Sequence, residues 1–192
     1  ADNDVISGPK ITASESYSFI LPDEEKIEEI MEDNFNKMED IFRESNRIAS
    51  DIKQEIKDLQ MKTMTNSLSE WEKNQIINSL QSKKDNLENL LMKLENKFQQ
   101  NKNFDNTYTE NKEEIVRKQE QIQELLDKIM TDELKKLFEE FNKLAEEFNS
   151  KKLNEIGKNL DLSMDDLSEQ LEKNLQLLKK LKIEQDLERI IE

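Results

Sequence analysis

The side chains that could do chemistry in this chain are carboxylates, and their spacing decides what is open to them. Asp2, Asn3 and Asp4 resemble the opening of a calcium loop. An EF-hand would need a third oxygen ligand where Ile6 stands, a glycine directly after it and a Glu further on. None of these is in place, so the stretch reads as a polar turn. Glu139, Glu140, Glu146 and Glu147 are spaced like the inward carboxylates of a di-iron bundle. That centre also takes Glu-x-x-His from partner helices, and the chain has no histidine. The four alternate with a Leu and Phe stripe, which turns them toward water.

The absence of both cysteine and histidine removes thiol nucleophiles, disulfides, Ser-His triads and the usual zinc sites together. No glycine-rich phosphate loop occurs. Paired carboxylates can work as acid and base inside a concave pocket, which a coiled coil does not offer. The sequence therefore assigns no catalytic, cofactor-binding or metal residue, and neither an enzyme nor a small-molecule substrate is expected.

Charge narrows the partners. The chain has 29 Lys and Arg against 44 Asp and Glu, a net of −15, which repels phosphate backbones and anionic lipid. Lys179, Lys180 and Lys182 form the one tight basic cluster and read as solvated helix positions. No apolar run approaches the roughly 20 residues of a membrane span, and no basic-then-apolar signal opens the chain. Nucleic acid and direct membrane insertion are thus not expected. What remains is a protein partner, or self-association through apolar helix faces.

The elements that would position such faces are helices. Hydrophobic residues at 34% and charged residues at 38% are poor material for a globule but suit long helices, each burying a narrow stripe. From Asp23 to about Thr63 the apolar positions Met31, Phe35, Met38, Phe42, Ala49, Ile52, Ile56 and Leu59 step by fours and threes, with Ser45 in one polar slot. That is a heptad seam of about four repeats. Ser69 and Glu72 have the spacing of a capping box and start a second seam: Ile77, Leu80, Leu87, Leu91, Leu94 and Phe98. A short link between such seams predicts an antiparallel hairpin over 23–100. Met61, Met64, Leu68 and Trp71 lie at its turn and are expected to cover the end of the coil.

Residues 101–109 read as a polar linker and 110–192 as a helical bundle. Ile115, Ile122, Leu125, Leu126 and Ile129 give a third helix, and the wide face Leu134, Leu137, Phe138, Phe141, Leu144, Ala145 and Phe148 continues it or starts another. Gly157 is expected to stop a short segment over 150–159. Ser163 is expected to cap a last helix running from Met164 and Leu167 to Leu187, Ile190 and Ile191. Ahead of all this, Tyr17, Phe19 and Leu21 alternate with Ser16, Ser18 and Ile20, a strand within an extended lead-in over 1–22. The fold expected is all-α: an elongated antiparallel coiled-coil hairpin plus a C-terminal bundle, with a short N-terminal β or extended segment. Starting at Ala1 and still helical in pattern at Glu192, the chain reads as a piece of something longer.

Four stretches carry a family likeness: Asp2-Asn3-Asp4-Val5-Ile6-Ser7-Gly8-Pro9-Lys10, Lys118-Gln-Glu-Gln-Ile-Gln-Glu-Leu-Leu, Leu134-Lys-Lys-Leu-Phe-Glu-Glu, and the stretch 162–181 opening Leu162-Ser-Met-Asp-Asp-Leu. Through them the chain resembles a family of large Bacteroidetes envelope proteins, of the domain-of-unknown-function 4175 type. The resemblance implies a membrane-anchored periplasmic protein with immunoglobulin-like domains ahead of a long coiled coil. This chain would be the junction between the two, and residues 2–10 the closing turn of a sandwich domain. The family has no established reaction, so no functional residue is carried over. The function expected is a non-enzymatic spacer or partner-docking rod of the cell envelope. The alternative is a holdase-like periplasmic chaperone whose helical arms clasp clients between apolar tips.

Overall fold

The first helix begins where local chemistry dictates. Pro22 precedes Asp23, whose carboxylate accepts the Lys26 N–H at 2.9 Å, and Glu24 and Glu25 put negative charge at the positive end of the helix dipole. In the computed structural model, which describes residues 22–65, 69–108, 113–130, 134–146 and 150–191, this helix α1 spans Glu24–Met64. Its 41 residues reach about 60 Å. Helix α2, Glu70–Tyr108, opens on the expected capping box: Ser69 N–H donates to Glu72 Oε2 at 2.8 Å, and Glu72 N–H reaches Ser69 Oγ at 3.3 Å. Helices α3 (Glu113–Lys128), α4 (Leu134–Glu146) and α5 (Ser150–Ile191) follow. No strand occurs among the described residues; the expected strand over 14–21 and the Asp2–Asp4 turn lie outside them.

Contacts between helices give their directions. Glu39 meets Lys179 at 3.3 Å while Lys53 meets Asp165, so α5 runs antiparallel to α1. Lys84 of α2 stands 4.6 Å over the Phe138 ring of α4, and Gln99 of α2 bonds Gln123 of α3. On the other side Lys118 of α3 bonds Glu184, and Glu140 of α4 accepts from Asn159 at 3.4 Å. Thus α3 and α4 lie end to end as one interrupted rod, antiparallel to both α2 and α5. Four rods, α1, α2, α3 with α4, and α5, surround one core.

The all-α class and the α1–α2 hairpin are as the periodicity predicts. Met31, Phe35, Met38, Phe42, Ala49, Ile52, Ile56 and Leu59 are all buried, as is Ser45. The C-terminal helices do not form a separate bundle beside the hairpin. α5 runs back along α1, and the core is continuous from Phe35 to Leu181. Three boundaries also move. The expected linker over 101–109 is helical through Tyr108, because Asn101 and Asp105 are buried at 2% and 0% exposure and extend the packed face of α2. The third rod, which the periodicity left as one helix or two, consists of α3 and α4, with a wide π-type turn at Ile129 and Met130. Gly157 stops nothing and Ser163 caps nothing: α5 passes unbroken through both.

Gly157 has a packing reason instead. A Cβ there would come within 2.3 Å of Gln60 Nε2 and 2.7 Å of Gln60 Cδ, so the glycine lets the α1 side chain lie across α5. From that position Gln60 Nε2 donates to the Asn154 carbonyl at 3.4 Å.

The buried polar groups are placed in layers. Asp105 Oδ2 accepts from Gln119 Nε2 at 2.6 Å and from Gln185 Nε2 at 2.7 Å, joining α2, α3 and α5 at one point. Ser45 and Asn174, both fully buried, fall at one level between the Glu39–Lys179 and Lys53–Asp165 pairs, and Asn174 Nδ2 donates within its own helix to the Gln170 carbonyl at 3.2 Å.

Two stability outcomes follow from these contacts. Asp105→Ala strands two buried amides and should cost about 1–3 kcal/mol in urea melts. Replacing Asp105, Gln119 and Gln185 together with Leu should recover most of that or more, since apolar residues often stabilise where buried polar groups stood. Gly157→Ala gains helix propensity of about 1 kcal/mol but must displace the flexible end of Gln60. It should therefore raise the melting temperature less in the wild-type background than in a Gln60→Ala background; equal shifts would mean that Gln60 does not rest on Gly157.

Candidate functional site

Of the carboxylates weighed as metal ligands, the structure describes the side chains of Glu139 and Glu140. Glu139 is exposed, while Glu140 is engaged by Lys143 at 2.6 Å and by Asn159. The side chains of Glu146 and Glu147, like Asp2 and Asp4, lie outside what is described. Among the described residues no group of three or more Asp, Glu, His or Cys could hold a metal ion. The basic cluster does more than face solvent. Lys179 and Lys182 reach across to Glu39 and Glu32 of α1, at 3.3 and 3.8 Å. Glu39 is held below the usual carboxylate range by its hydrogen bond from Arg43, helped by Lys179 and opposed by burial.

The feature that stands out is the end of the rod at the α1–α2 connection. Met61, Met64 and Trp71 are 59%, 73% and 69% exposed, so they do not cover the end of the coil as their position in the hairpin suggested. Leu68 lies outside the described residues. The reason is angular. The seam ends at Leu59, fully buried, and its next position is Thr63, whose hydroxyl donates to the Leu59 carbonyl at 2.7 Å. At about 100° per residue, Met61 and Met64 stand roughly 200° and 140° round from Leu59, on the far side of α1. Trp71 is the second residue of α2, and the buried face of that helix starts only at Leu80.

Gln54, Lys57, Met61 and Met64 step by three, four and three along that far side, a heptad line outside the core. Together with Asn154 and Lys158 of α5 they line an open groove of about 560 Å³. The α1 line was readable in the sequence as a second period out of phase with the seam. Its partner wall was not, because nothing local tells that α5 returns beside α1.

The opposite end of the rod is also apolar on its outside. Ile183, Leu187 and Ile190 are 58%, 52% and 80% exposed, so the last turns of α5 turn these side chains away from the core. Among the described residues no helix is long and apolar enough to cross a membrane. Comparison with protein-family models, with curated proteins and with solved structures finds no match.

Because the methionines of the groove are already solvated, replacing Met61 and Met64 with Ser should leave the melting temperature nearly unchanged. Full burial of one such side chain is worth about 1.5–3 kcal/mol, and only a fraction of that is realised here. A fall of several degrees in a circular dichroism melt would show that the two side chains are covered in solution.

Proposed function

We propose that this chain is a non-enzymatic protein-interaction module: a stiff helical rod that offers the Met61, Met64 and Trp71 end to a protein partner. In the cell-envelope setting that the resemblance implies, it would act as a spacer that also docks. The observation that supports this reading is the exposure of three large apolar side chains at one end of a rod whose neighbouring seam residues are buried. Met61 and Met64 line one groove, and exposed apolar groups gathered in this way mark interaction surfaces more often than scattered single residues do. The acidic surface argues for protein over nucleic acid or lipid.

The second reading is a holdase, favoured by the methionines, whose unbranched, polarisable side chains adapt to many apolar shapes. One pair of measurements separates the readings. An apolar fluorescent dye should bind the wild-type chain and be lost with Met61→Ser, Met64→Ser and Trp71→Ser combined. If the wild type then leaves the aggregation of a heat-unfolded client unchanged, the docking module stands. Suppression of aggregation that the triple variant loses would select the holdase. An equal dye response in both proteins would remove the rod end from either role.

A further inference from the structure

The groove beside the Met61 and Met64 line reverses the charge of the molecule around it. The chain carries −15, yet among the described residues the groove has Lys57 and Lys158 in its lining and no carboxylate; the nearest on α1, Asp58, stands at its edge and accepts from Gln54 Nε2 at 2.9 Å. The other polar groups there, Gln54, Gln60 and Asn154, are neutral amides. Asp161 approaches Lys57 at 3.5 Å but is shared with Lys53 at 3.5 Å, and 46% of the Lys57 side chain stays exposed. By contrast, the groove at the other end of the rod, between the start of α1 and the end of α5, includes Glu28, Glu32 and Asp186 against Lys182 alone.

The geometry suits a helix. Two antiparallel helices, α1 and α5, form the walls, and the residues on α1 repeat at heptad spacing over 54–64, about three turns. A helix laid in a groove is read through apolar anchors at such intervals, with charges along its flanks setting orientation and partner choice. Leu162, 64% exposed, stands one turn beyond Lys158 on α5.

Resting on the interaction-module reading, we infer that this groove receives an acidic amphipathic helix of a partner protein. Its apolar side chains lie on Met61 and Met64, and its flanking Asp and Glu meet Lys57 and Lys158. A second copy of this chain is the poorer occupant. Its exposed apolar strip, Ile183, Leu187 and Ile190, is flanked by Glu184, Asp186 and Glu188 but spans only about two turns, and the helix that carries it is already packed along α1.

The test uses the full chain and three labelled helical peptides of about three to four turns. They share one Leu heptad line and differ in their flanks, which are Glu, Gln or Lys. Fluorescence anisotropy should rank Glu over Gln over Lys, with Glu roughly three- to tenfold tighter than Gln, the scale of two exposed ion pairs. Raising salt should narrow the gap. Lys57→Glu with Lys158→Glu should invert the ranking. Met61→Ser with Met64→Ser should weaken every peptide. Lys93→Glu with Lys97→Glu, in the separate groove between α1 and α2 beside Ile41, should change nothing. All these side chains except that of Lys97 are exposed, and melts will confirm that each variant folds. Equal affinity for Glu and Gln flanks would remove the acidic chemistry while leaving the interaction module intact. Loss of binding in the Lys93 and Lys97 variant would place the peptide in the other groove and overturn the proposal. So would no binding by any peptide alongside a positive dye response. Wild-type dimers in sedimentation that dissolve on Lys57→Glu with Lys158→Glu would make the occupant a second copy.

Discussion

The seam of α1 has to be covered on two sides along about 60 Å, and the other rods are arranged to do it. A side chain such as Phe42 or Ile52, buried at 1% and 0% exposure, needs neighbours round most of its surface, and one antiparallel partner covers only part of it. α2 supplies one flank through Leu80, Leu87, Leu91 and Leu94, and α5 supplies the other through Leu160, Met164, Leu167 and Leu171. With α3 and α4 closing the ring against α2 and α5, the apolar stripe of each rod faces a common centre. The low hydrophobic content is sufficient because each helix contributes one narrow stripe and leaves the rest polar.

The buried carboxylate of Asp105 falls where two other rods can share its cost, whereas the Ser45 hydroxyl has no hydrogen-bond partner among the described residues. Asp105 would be expensive alone, but two amide donors from different rods reach it. The clasp ties the end of α2 to the start of α3, where otherwise two helix termini would meet with little apolar material. Outside, Lys53–Asp165, Lys179–Glu39 and Lys118–Glu184 bridge neighbouring rods. Partly solvated pairs at the surface add little stability each, but like charges in the same places would disfavour the observed pairing.

The ends of the rod differ from its middle for a geometric reason. A bundle of finite helices has no further layer to cover its last side chains. Where Thr63 takes the next seam position, Met61 and Met64 are left outside. The interaction surface proposed here is therefore a product of where the seam stops, and its lysines come from two helices that meet only after the chain has folded back three times.

Much of this was legible in the residues. The α1 seam from Met31 to Leu59, the capping box at Ser69 and Glu72, and the antiparallel hairpin all rest on local periodicity and local hydrogen bonds, which sequence spacing determines directly. Tertiary structure decided what spacing leaves open. The Asn-rich stretch at 101–108 looks like a linker until Gln119 and Gln185 supply partners for Asp105. Gly157 looks like a stop until Gln60 is seen lying across it, and Lys57 and Lys158 look unrelated until α5 is found beside α1. In each case the deciding contact joins residues far apart along the chain, and a helical period says which side of a helix is apolar without saying which helix will face it.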